Sequence, residues 1–361
     1  MDFTLSPEQL LIRDSVAGVA SSCAPGQHWA KFAELGFLAV GAPDDAGGFG
    51  GPVETLLLME QLGRAGAVTP YLAQVVFAGG VLEAADRRDL LARLVTGDER
   101  FAVAYDEAQA VGDPRRTGAH AAREGDLYVL RGRKTRVLDA TTADTLLVAA
   151  RTADELSLFA VPADAPGITI VPYPAEDGAD VADVVLDGVR AGTAALAGAR
   201  GDGERILDEA LDRAVAALCA EGLGLIGAML EMTVDYTKQR RQFGVAIASF
   251  QALQHRMVEM YLQLELARSM AYRAAMVLES EPDAAQRRRG VSAAKVQVAT
   301  SGRFVGQNAI QLHGGIGMSE EYKLGRYFKR MTMVERLLGD RSYHLARYRE
   351  AAGARREAAA V

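Results

Sequence analysis

The stretch Tyr236-Thr237-Lys238-Gln239-Arg240-Arg241-Gln242-Phe243-Gly244 decides how the rest of the chain is read. It is followed by Ser249-Phe250-Gln251-Ala252-Leu253-Gln254 and, farther on, by Gln311-Leu312-His313-Gly314-Gly315-Ile316-Gly317. Two helices end or break here at a basic turn and a glycine-rich turn, each suited to a phosphate-bearing ligand. Neither turn follows a β-strand, so the context of a dinucleotide-binding glycine loop is missing. Arg240 offers a charge-delocalised fork that matches a pyrophosphate, and Phe243 a flat apolar face for a ring. Gln242, Gln251 and Gln311 are neutral donors and acceptors, and Gly314, Gly315 and Gly317 let a backbone approach a ligand closely. The same residues admit a purely structural reading. Arg240 and Arg241 would then stabilise a helix C-terminus capped by Gly244, and Gly314 to Gly317 would simply end another helix.

Composition sets the frame. The chain has 361 residues, 49% apolar and 24% charged, enough for two or three compact units with cores of their own. A net charge of −7 argues against non-specific nucleic-acid binding, and no uninterrupted apolar run approaches the roughly 20 residues that cross a bilayer. The opening Met1-Asp2-Phe3-Thr4-Leu5-Ser6 carries no basic and apolar regions of a secretory signal. Cys23 and Cys219 are too few for a disulfide framework, which points to a reduced, cytoplasmic setting. The five histidines, His28, His120, His255, His313 and His344, show no metal-ligand spacing, so no metal site is expected.

The hydrophobic period changes twice along the chain. Up to about Arg100 it is helical, with Ser6 and Pro7 as N-cap and first helical residue, then Val53 to Gly63 and Asp86 to Thr96. Gly47, Gly48, Gly50 and Gly51 read as a tight loop before a helix rather than a phosphate loop. From about Phe101 to Gly192 short β-branched runs take over: Leu127 to Leu130, Thr145 to Ala149, Leu156 to Val161, Ile168 to Val171 and Val181 to Leu186. Helical period returns in Glu204 to Gln239, Phe250 to Leu278 and Pro282 to Leu312, with a shorter stretch near the C-terminus. The expected fold is α+β: an N-terminal α-helical domain (1–100), a central antiparallel β domain (101–200) and a C-terminal four-helix bundle (201–361).

The two turns, in that order and near that separation, resemble the R-x-x-F-G and Q-x-x-G-G-x-G turns of the acyl-CoA dehydrogenase family, and the resemblance covers nearly the whole chain. It implies an FAD-dependent oxidoreductase of fatty acid metabolism and β-oxidation that desaturates an acyl-CoA thioester. It also implies that Arg240, Gln242, Phe243, Gln251, Gln311, Gly314 and Gly315 hold the pyrophosphate and adenine side of FAD. In the family these turns reach across a subunit interface to a neighbour's flavin, so an oligomer is implied as well.

In that family a glutamate removes the α-proton while the β-hydrogen leaves as hydride to the flavin. Counting without gaps, its two known positions fall on Ala214 and on Leu338, and both are empty of carboxylate. The arginine just after the helix site falls on Val215, with Arg213 one register away. Asp212, Glu335 and Asp340 are nearby carboxylates that could substitute or be ordinary helix residues. The flavin-facing segments also depart. Tyr105-Asp106-Glu107-Ala108-Gln109-Ala110-Val111-Gly112-Asp113 stands for T-E-P-x-x-G-S-D, and Gly132-Arg133-Lys134-Thr135-Arg136-Val137-Leu138-Asp139 puts Arg136 and Leu138 where the family has an aromatic wall and a hydroxyl.

The pattern is similar to the small, glutamate-lacking subunit of heteromeric acyl-CoA dehydrogenases of the pimeloyl-CoA or steroid side-chain type. It implies an α2β2 assembly in which a partner subunit supplies the base. A self-sufficient homo-oligomer with a displaced carboxylate and a non-catalytic acyl-CoA or partner-binding scaffold are the alternatives. His313 reads as a structural or cofactor-facing histidine, and Arg287-Arg288-Arg289 as a solvated face or a CoA phosphate clamp.

Overall fold

A computed structural model describes residues 5–22, 26–110 and 112–358, with side chains described to residue 352. Cys23, Val111 and the first four residues, on which sequence expectations fell, lie outside the described residues. The helices are α1 (Pro7–Ser22), α2 (His28–Glu34), α3 (Pro52–Ala65), α4 (Ala78–Ala84), α5 (Arg88–Thr96), α6 (Gly203–Gln239), α7 (Gln251–Ser280), α8 (Ala284–His313), α9 (Leu324–Arg336) and α10 (Arg341–Ala358). A π-helical turn, Tyr71–Phe77, runs into α4. The strands are β1 (Phe101–Ala104), β2 (His120–Glu124), β3 (Leu127–Leu138), β4 (Thr145–Thr152), β5 (Glu155–Pro162), β6 (Ile168–Pro174), β7 (Asp180–Gly192), β8 (Leu196–Ala197), β9 (Arg241–Gln242) and β10 (Val245–Ala246).

Chain contacts divide these elements into two compact units, Met1–Cys23 with Pro52–Val68 and Val215–Val361, and Ala24–Gly51 with Thr69–Ala214. In the second, eight strands form one sheet in the order β6-β7-β3-β2-β4-β5-β8, with β1 beside β4. The antiparallel expectation describes most of it, but β1 and β2 both run parallel to β4. Alternation along β3, β4, β5 and β7 buries Leu130, Val137, Leu146, Val148, Phe159 and Val184 in one core. The glycine loop behaves as read: Gly47 and Gly50 have φ of 81° and 70°, and the loop leads to Pro52 at the start of α3.

The first unit is helical. Ser6 closes a capping box on α1: its Oγ accepts the Gln9 N–H at 3.2 Å, and the Gln9 carboxamide accepts the Ser6 N–H at 2.9 Å. Asp283 caps α8 in the same way, taking the Ala285 N–H at 2.8 Å. The expected C-terminal bundle of four helices is extended by a fifth, because the last stretch breaks at Leu337–Asp340 into α9 and α10. Helix α6 is long and apolar enough to cross a membrane, yet 83% of its apolar window is buried inside the protein, as befits a core helix. Glycines let α3 approach it: a Cβ at Gly63 would strike the Glu221 carbonyl, and one at Gly224 the Glu60 carbonyl. Beside that crossing, Glu221 receives Arg330 through two bonds, Nε to Oε1 at 2.5 Å and Nη2 to Oε2 at 2.9 Å, both side chains being buried.

The corner between α9 and α10 is held from two sides. The fully buried Lys295 ammonium donates to the carbonyls of Val334, Glu335 (3.3 Å) and Leu337 (2.9 Å), satisfying orphan acceptors at the end of α9. His344, also fully buried, has Nε2 3.0 Å from the Leu338 carbonyl and Nδ1 3.3 Å from Ser292 Oγ. Leu338 itself takes the left-handed conformation, φ 56°, a strained state for a branched residue that these contacts over-determine. Burial pushes the Lys295 amine down to about 8. Burial first, then the cations of Lys295 and Arg347, push the His344 imidazole down to about 3.

Two outcomes follow from this packing. Gly224→Ala should destabilise the protein by about 1–3 kcal/mol through overpacking at the α3–α6 crossing, read by urea unfolding; an unchanged midpoint would mean that the helices are not so close. His344 is neutral when folded and ordinarily basic when unfolded, so the unfolded state binds the extra proton. Its contribution is therefore intact above about pH 6.5 and is lost as pH falls toward 3, with a limiting slope of about 1.4 kcal/mol per pH unit. His344→Asn should flatten the stability curve in that window, and identical pH profiles for the two proteins would contradict the burial of a neutral imidazole.

Candidate functional site

The basic turn is not a helix cap. Helix α6 stops at Gln239, and Arg241–Gln242 pairs antiparallel with Val245–Ala246 in a two-residue hairpin. Phe243 and Gly244 form its corner with φ of 53° and 82°, the two left-handed residues that a tight hairpin needs. Glycine takes that conformation freely; phenylalanine does so at a cost. The result is a Phe243 ring that is 91% exposed, edge-on to Phe250 at 6.2 Å. The Arg240 backbone is fixed, donating to Tyr236 O at 2.8 Å and accepting from Ile247 N at 2.9 Å. Its exposed guanidinium forms no ion pair with any described residue. Gln242 bonds only locally, to the Arg241 carbonyl at 2.9 Å, and Gln251 is exposed at the first position of α7.

The glycine turn leaves from a neighbouring helix end. Tyr236, one turn from the end of α6, stacks on His313, the last residue of α8, with ring centroids 4.4 Å apart. His313 is buried, its Nδ1 2.8 Å from the Ala309 carbonyl and its Nε2 3.3 Å from the Tyr322 hydroxyl, so it serves the framework. Arg256 Nη1 donates to Asn308 Oδ1 at 2.8 Å and adds a second tie between α7 and α8. Beyond His313, Gly314 and Gly315 are exposed, whereas Gly317 is packed against Ile310 and His313. Gln311 is exposed on the last turn of α8. Arg240, Gln242, Phe243, Gln251, Gln311, Gly314 and Gly315 thus all lie at the surface of one helical unit, around two adjacent helix ends. Their chemistry, one unpaired guanidinium, neutral amides, bare backbone and an open ring, fits the phosphate and adenine side of a dinucleotide.

Ala214 and Leu338, the residues that the resemblance sets at the glutamate positions, are buried hydrocarbon. Ala214 is fully buried in α6, and Leu338 forms the left-handed corner fixed by Lys295 and His344. The nearby carboxylates have other duties. Glu335 pairs with Arg303, whose Nε lies 3.1 Å from Oε2. Asp340 Oδ1 caps α10 by accepting the Tyr343 N–H at 2.8 Å, and Asp212 is buried and engaged. Arg213 is bidentate to Glu83, with Nη2 to Oε1 at 2.7 Å. Arg287 donates to the carbonyls of Glu281 and Pro282, and Arg289 lies over the Tyr348 ring while bonding its hydroxyl. All three consecutive arginines are half-buried, not the solvated face expected, and Arg287 and Arg289 act as struts rather than as a phosphate clamp.

On the sheet, sequence reading missed two charge pairs joining segments about thirty residues apart. Lys134 is fully buried and donates to Glu107 Oε1 at 2.6 Å, while Glu107 also accepts the N–H groups of Gly118 (2.8 Å) and Ala119 (3.0 Å). Burial pushes Lys134 down to about 8 against the pull of Glu107. Burial would raise the Glu107 carboxyl, but the Lys134 charge and the two N–H groups hold it below its ordinary value. Arg136, in turn, pairs with Asp106 at 2.7 Å. An isoalloxazine needs a flat apolar wall; Arg136 and Leu138, which the resemblance sets at the ring, supply none. Those two residues do not fit a flavin ring, in contrast to the chemistry of the outward turns.

Three family models cover the chain: the N-terminal domain of acyl-CoA dehydrogenase over residues 6–98, the middle domain over 102–189 and the C-terminal domain over 201–352. A probable acyl-CoA dehydrogenase of Bacillus subtilis, YngJ, is 29% identical over 93% of this chain and 95% of its own. Among solved structures, a chain of the ChsE4-ChsE5 complex from Mycobacterium tuberculosis has a TM-score of 0.87 at 27% identity, covering 98% of this chain and 99% of that one. PigA with FAD and proline has a TM-score of 0.91 at 26% identity, covering 98% and 100%. The fold, the two turns and these matches agree: the chain belongs to the acyl-CoA dehydrogenase family, FAD-dependent oxidoreductases that act on acyl-CoA thioesters in fatty acid β-oxidation.

Proposed function

We propose that this chain is the non-basic subunit of a heteromeric acyl-CoA dehydrogenase: its two turns grip the phosphate and adenine side of FAD held by a glutamate-bearing partner of the same family, and the partner's carboxylate takes the α-proton. The observation that carries this reading is the asymmetry of the two sites. The outward turns keep an unpaired Arg240 and an open Phe243, while the glutamate positions Ala214 and Leu338 are hydrocarbon and the nearby carboxylates cap or pair elsewhere. FAD, when bound, supplies the hydride acceptor. The tasks assigned to this chain are to neutralise diphosphate charge with Arg240, to hold adenine against Phe243 and to let the ligand approach the exposed Gly314–Gly315 backbone closely. A subunit interface is supported by the apolar side chains exposed on one face of α7, Val258, Tyr261, Leu262 and Leu266, spaced as helix neighbours, and by exposed Val245, Ile316 and Met318 nearby in the chain. The buried free thiol of Cys219, pushed up to about 12 by its surroundings, suits the reducing cytoplasmic setting that belongs to this reading. The heteromeric neighbours, ChsE4-ChsE5 and the caffeyl-CoA reductase-Etf complex subunit CarC of Acetobacterium woodii, support a heteromeric assembly, which this reading draws as α2β2.

Co-expression with a glutamate-bearing paralogue should yield an active, flavin-containing complex, inactive when the partner's glutamate becomes glutamine. Robust acyl-CoA oxidation by this chain alone, abolished by changing Asp212, Glu335 or Asp340, would overturn the proposal in favour of a self-sufficient homo-oligomer. Within the complex, Arg240→Ala should weaken flavin retention by about 1–3 kcal/mol, the usual worth of a charge-assisted contact, in an equilibrium titration. Unchanged flavin affinity would remove Arg240 from the site.

A further inference from the structure

Arg136 stands out on the sheet because its backbone is left-handed, φ 54°, at the place where the pairing of β3 with β7 slips between Lys134 and Val137. A bulge of this kind re-aims a side chain, and a non-glycine residue keeps such a conformation only when its surroundings impose it. They do so on every side. The Arg136 N–H donates to the Tyr173 hydroxyl at 3.1 Å, with Asp183 Oδ1 also 3.4 Å away. Asp183 is itself fixed by Arg133 at 2.7 Å. The guanidinium spends two donors, Nε at 2.9 Å and Nη2 at 2.7 Å, on a single oxygen, Asp106 Oδ2. The other oxygen of Asp106 accepts the N–H groups of Glu107 (3.0 Å) and Gly112 (2.8 Å), and Glu107 is anchored to the buried Lys134. Asp106 is thus a preorganised anion whose position is set by backbone, and Arg136 is drawn to it.

We infer that the Asp106–Arg136 pair is a lock that excludes a flavin ring from this chain's own sheet; the inference rests on the family reading above and deepens it by naming the residues that decide which subunit carries flavin. A flavin ring presents carbonyl and imine acceptors at its edge and an apolar face. Asp106 has no proton to offer those acceptors, and two of the guanidinium donors, Nε and Nη2, are committed to Asp106. Pressing the face of the ring against this pair would pull the guanidinium away from an acid that is 13% exposed and leave that carboxylate with Lys134 as its more distant cation. The pair thus opposes the ring by competing for Asp106 and not through bulk alone. Opening the lock therefore takes two substitutions at sites that reinforce one another: Arg136→Trp to supply a flat wall and Asp106→Thr to replace an acceptor-only group with a hydroxyl that can donate.

The experiment is a titration of the purified full-length chain with FAD, followed by quenching of flavin fluorescence and by the shift of its visible absorption, with ADP as a probe of the phosphate side. The wild-type chain should leave the ring fluorescence unquenched. The double variant Asp106→Thr with Arg136→Trp should bind FAD at least about tenfold more tightly and quench it, with ADP affinity unchanged. Asp106→Asn, which keeps size and removes the charge of the acid, should give a smaller gain in the same direction and serves if the double variant does not fold. Stoichiometric quenching by the wild-type chain overturns the lock, as does a folded double variant, or a folded Asp106→Asn, with no gain in FAD affinity. These outcomes are separate from the fate of the heteromer: turnover by the single chain refutes the division of labour, whereas unchanged FAD affinity in the variants refutes only the lock.

Discussion

A single buried ammonium fixes the corner on which the interpretation of this chain turns. Lys295 reaches from α8 to the carbonyls that end α9, and without it Val334, Glu335 and Leu337 would leave acceptors orphaned in an apolar interior. Its charge stays hydrated, in effect, by protein carbonyls. Because that end is fixed, α10 can start three residues later with Asp340 as cap, and His344 can reach back to the Leu338 carbonyl. Leu338 is left in a strained conformation with its backbone held on both flanks and its side chain buried. Leu338, which the resemblance sets at a glutamate position, is a structural joint.

Charge is used as scaffolding in three further places. Glu107–Lys134 in the sheet, Glu221–Arg330 at the α3–α6 crossing and Asp106–Arg136 on the bulge each join segments distant in sequence. The first two are buried on both sides, and buried ion pairs add little net stability compared with well-packed hydrocarbon, because desolvation consumes most of the attraction; the third leaves its guanidinium partly exposed. Their consequence is geometric: removing one partner leaves a charge with nowhere to go, so the arrangement is unique. The outward turns show the opposite economy. Arg240 and Phe243 are left unpaired and open, and the strain at Phe243 is carried by a two-residue hairpin that has no framework duty visible in its side chains. That exposed guanidinium and ring are what the proposed function assigns to a ligand across a subunit interface.

Long-period elements were legible in the sequence. The stretch read as Glu204 to Gln239 is α6, Gly203–Gln239, and the Ser6–Pro7 start of α1 appears with both bonds of its capping box. Such signals are local, repeated every turn and hard to mistake. Short elements escaped: α2 has seven residues, β1 has four that are all buried, and the π-helical turn has no period distinct from a helix. The break between α9 and α10 escaped too, because it is made by Lys295 some forty residues upstream. At the site, the motif residues of the two turns could be named in advance, but the hairpin at Phe243–Gly244 read equally well as a helix cap. The Asp106–Arg136 and Glu107–Lys134 pairs left no trace in periodicity, since two charges some thirty residues apart become partners only once the strands register. Arg136 and Leu138 were visible as departures from an expected wall; that Asp106 is the partner of Arg136 is seen only in the fold.

The central claim is that this chain cannot itself take a proton from the α-carbon of an acyl-CoA. Hydrogen exchange at that carbon reports it directly, without requiring an electron acceptor or a completed turnover. Purified chain, supplied with FAD and a saturated acyl-CoA in deuterated buffer, should incorporate no deuterium at the α-position beyond the rate without protein, and exchange should appear on adding the glutamate-bearing partner. General-base assistance is worth about 10² to 10⁴ in rate, a margin that mass spectrometry of the thioester resolves easily. Exchange catalysed by the single chain and lost in Asp212→Asn, Glu335→Gln or Asp340→Asn would contradict the account and place a working base within this subunit.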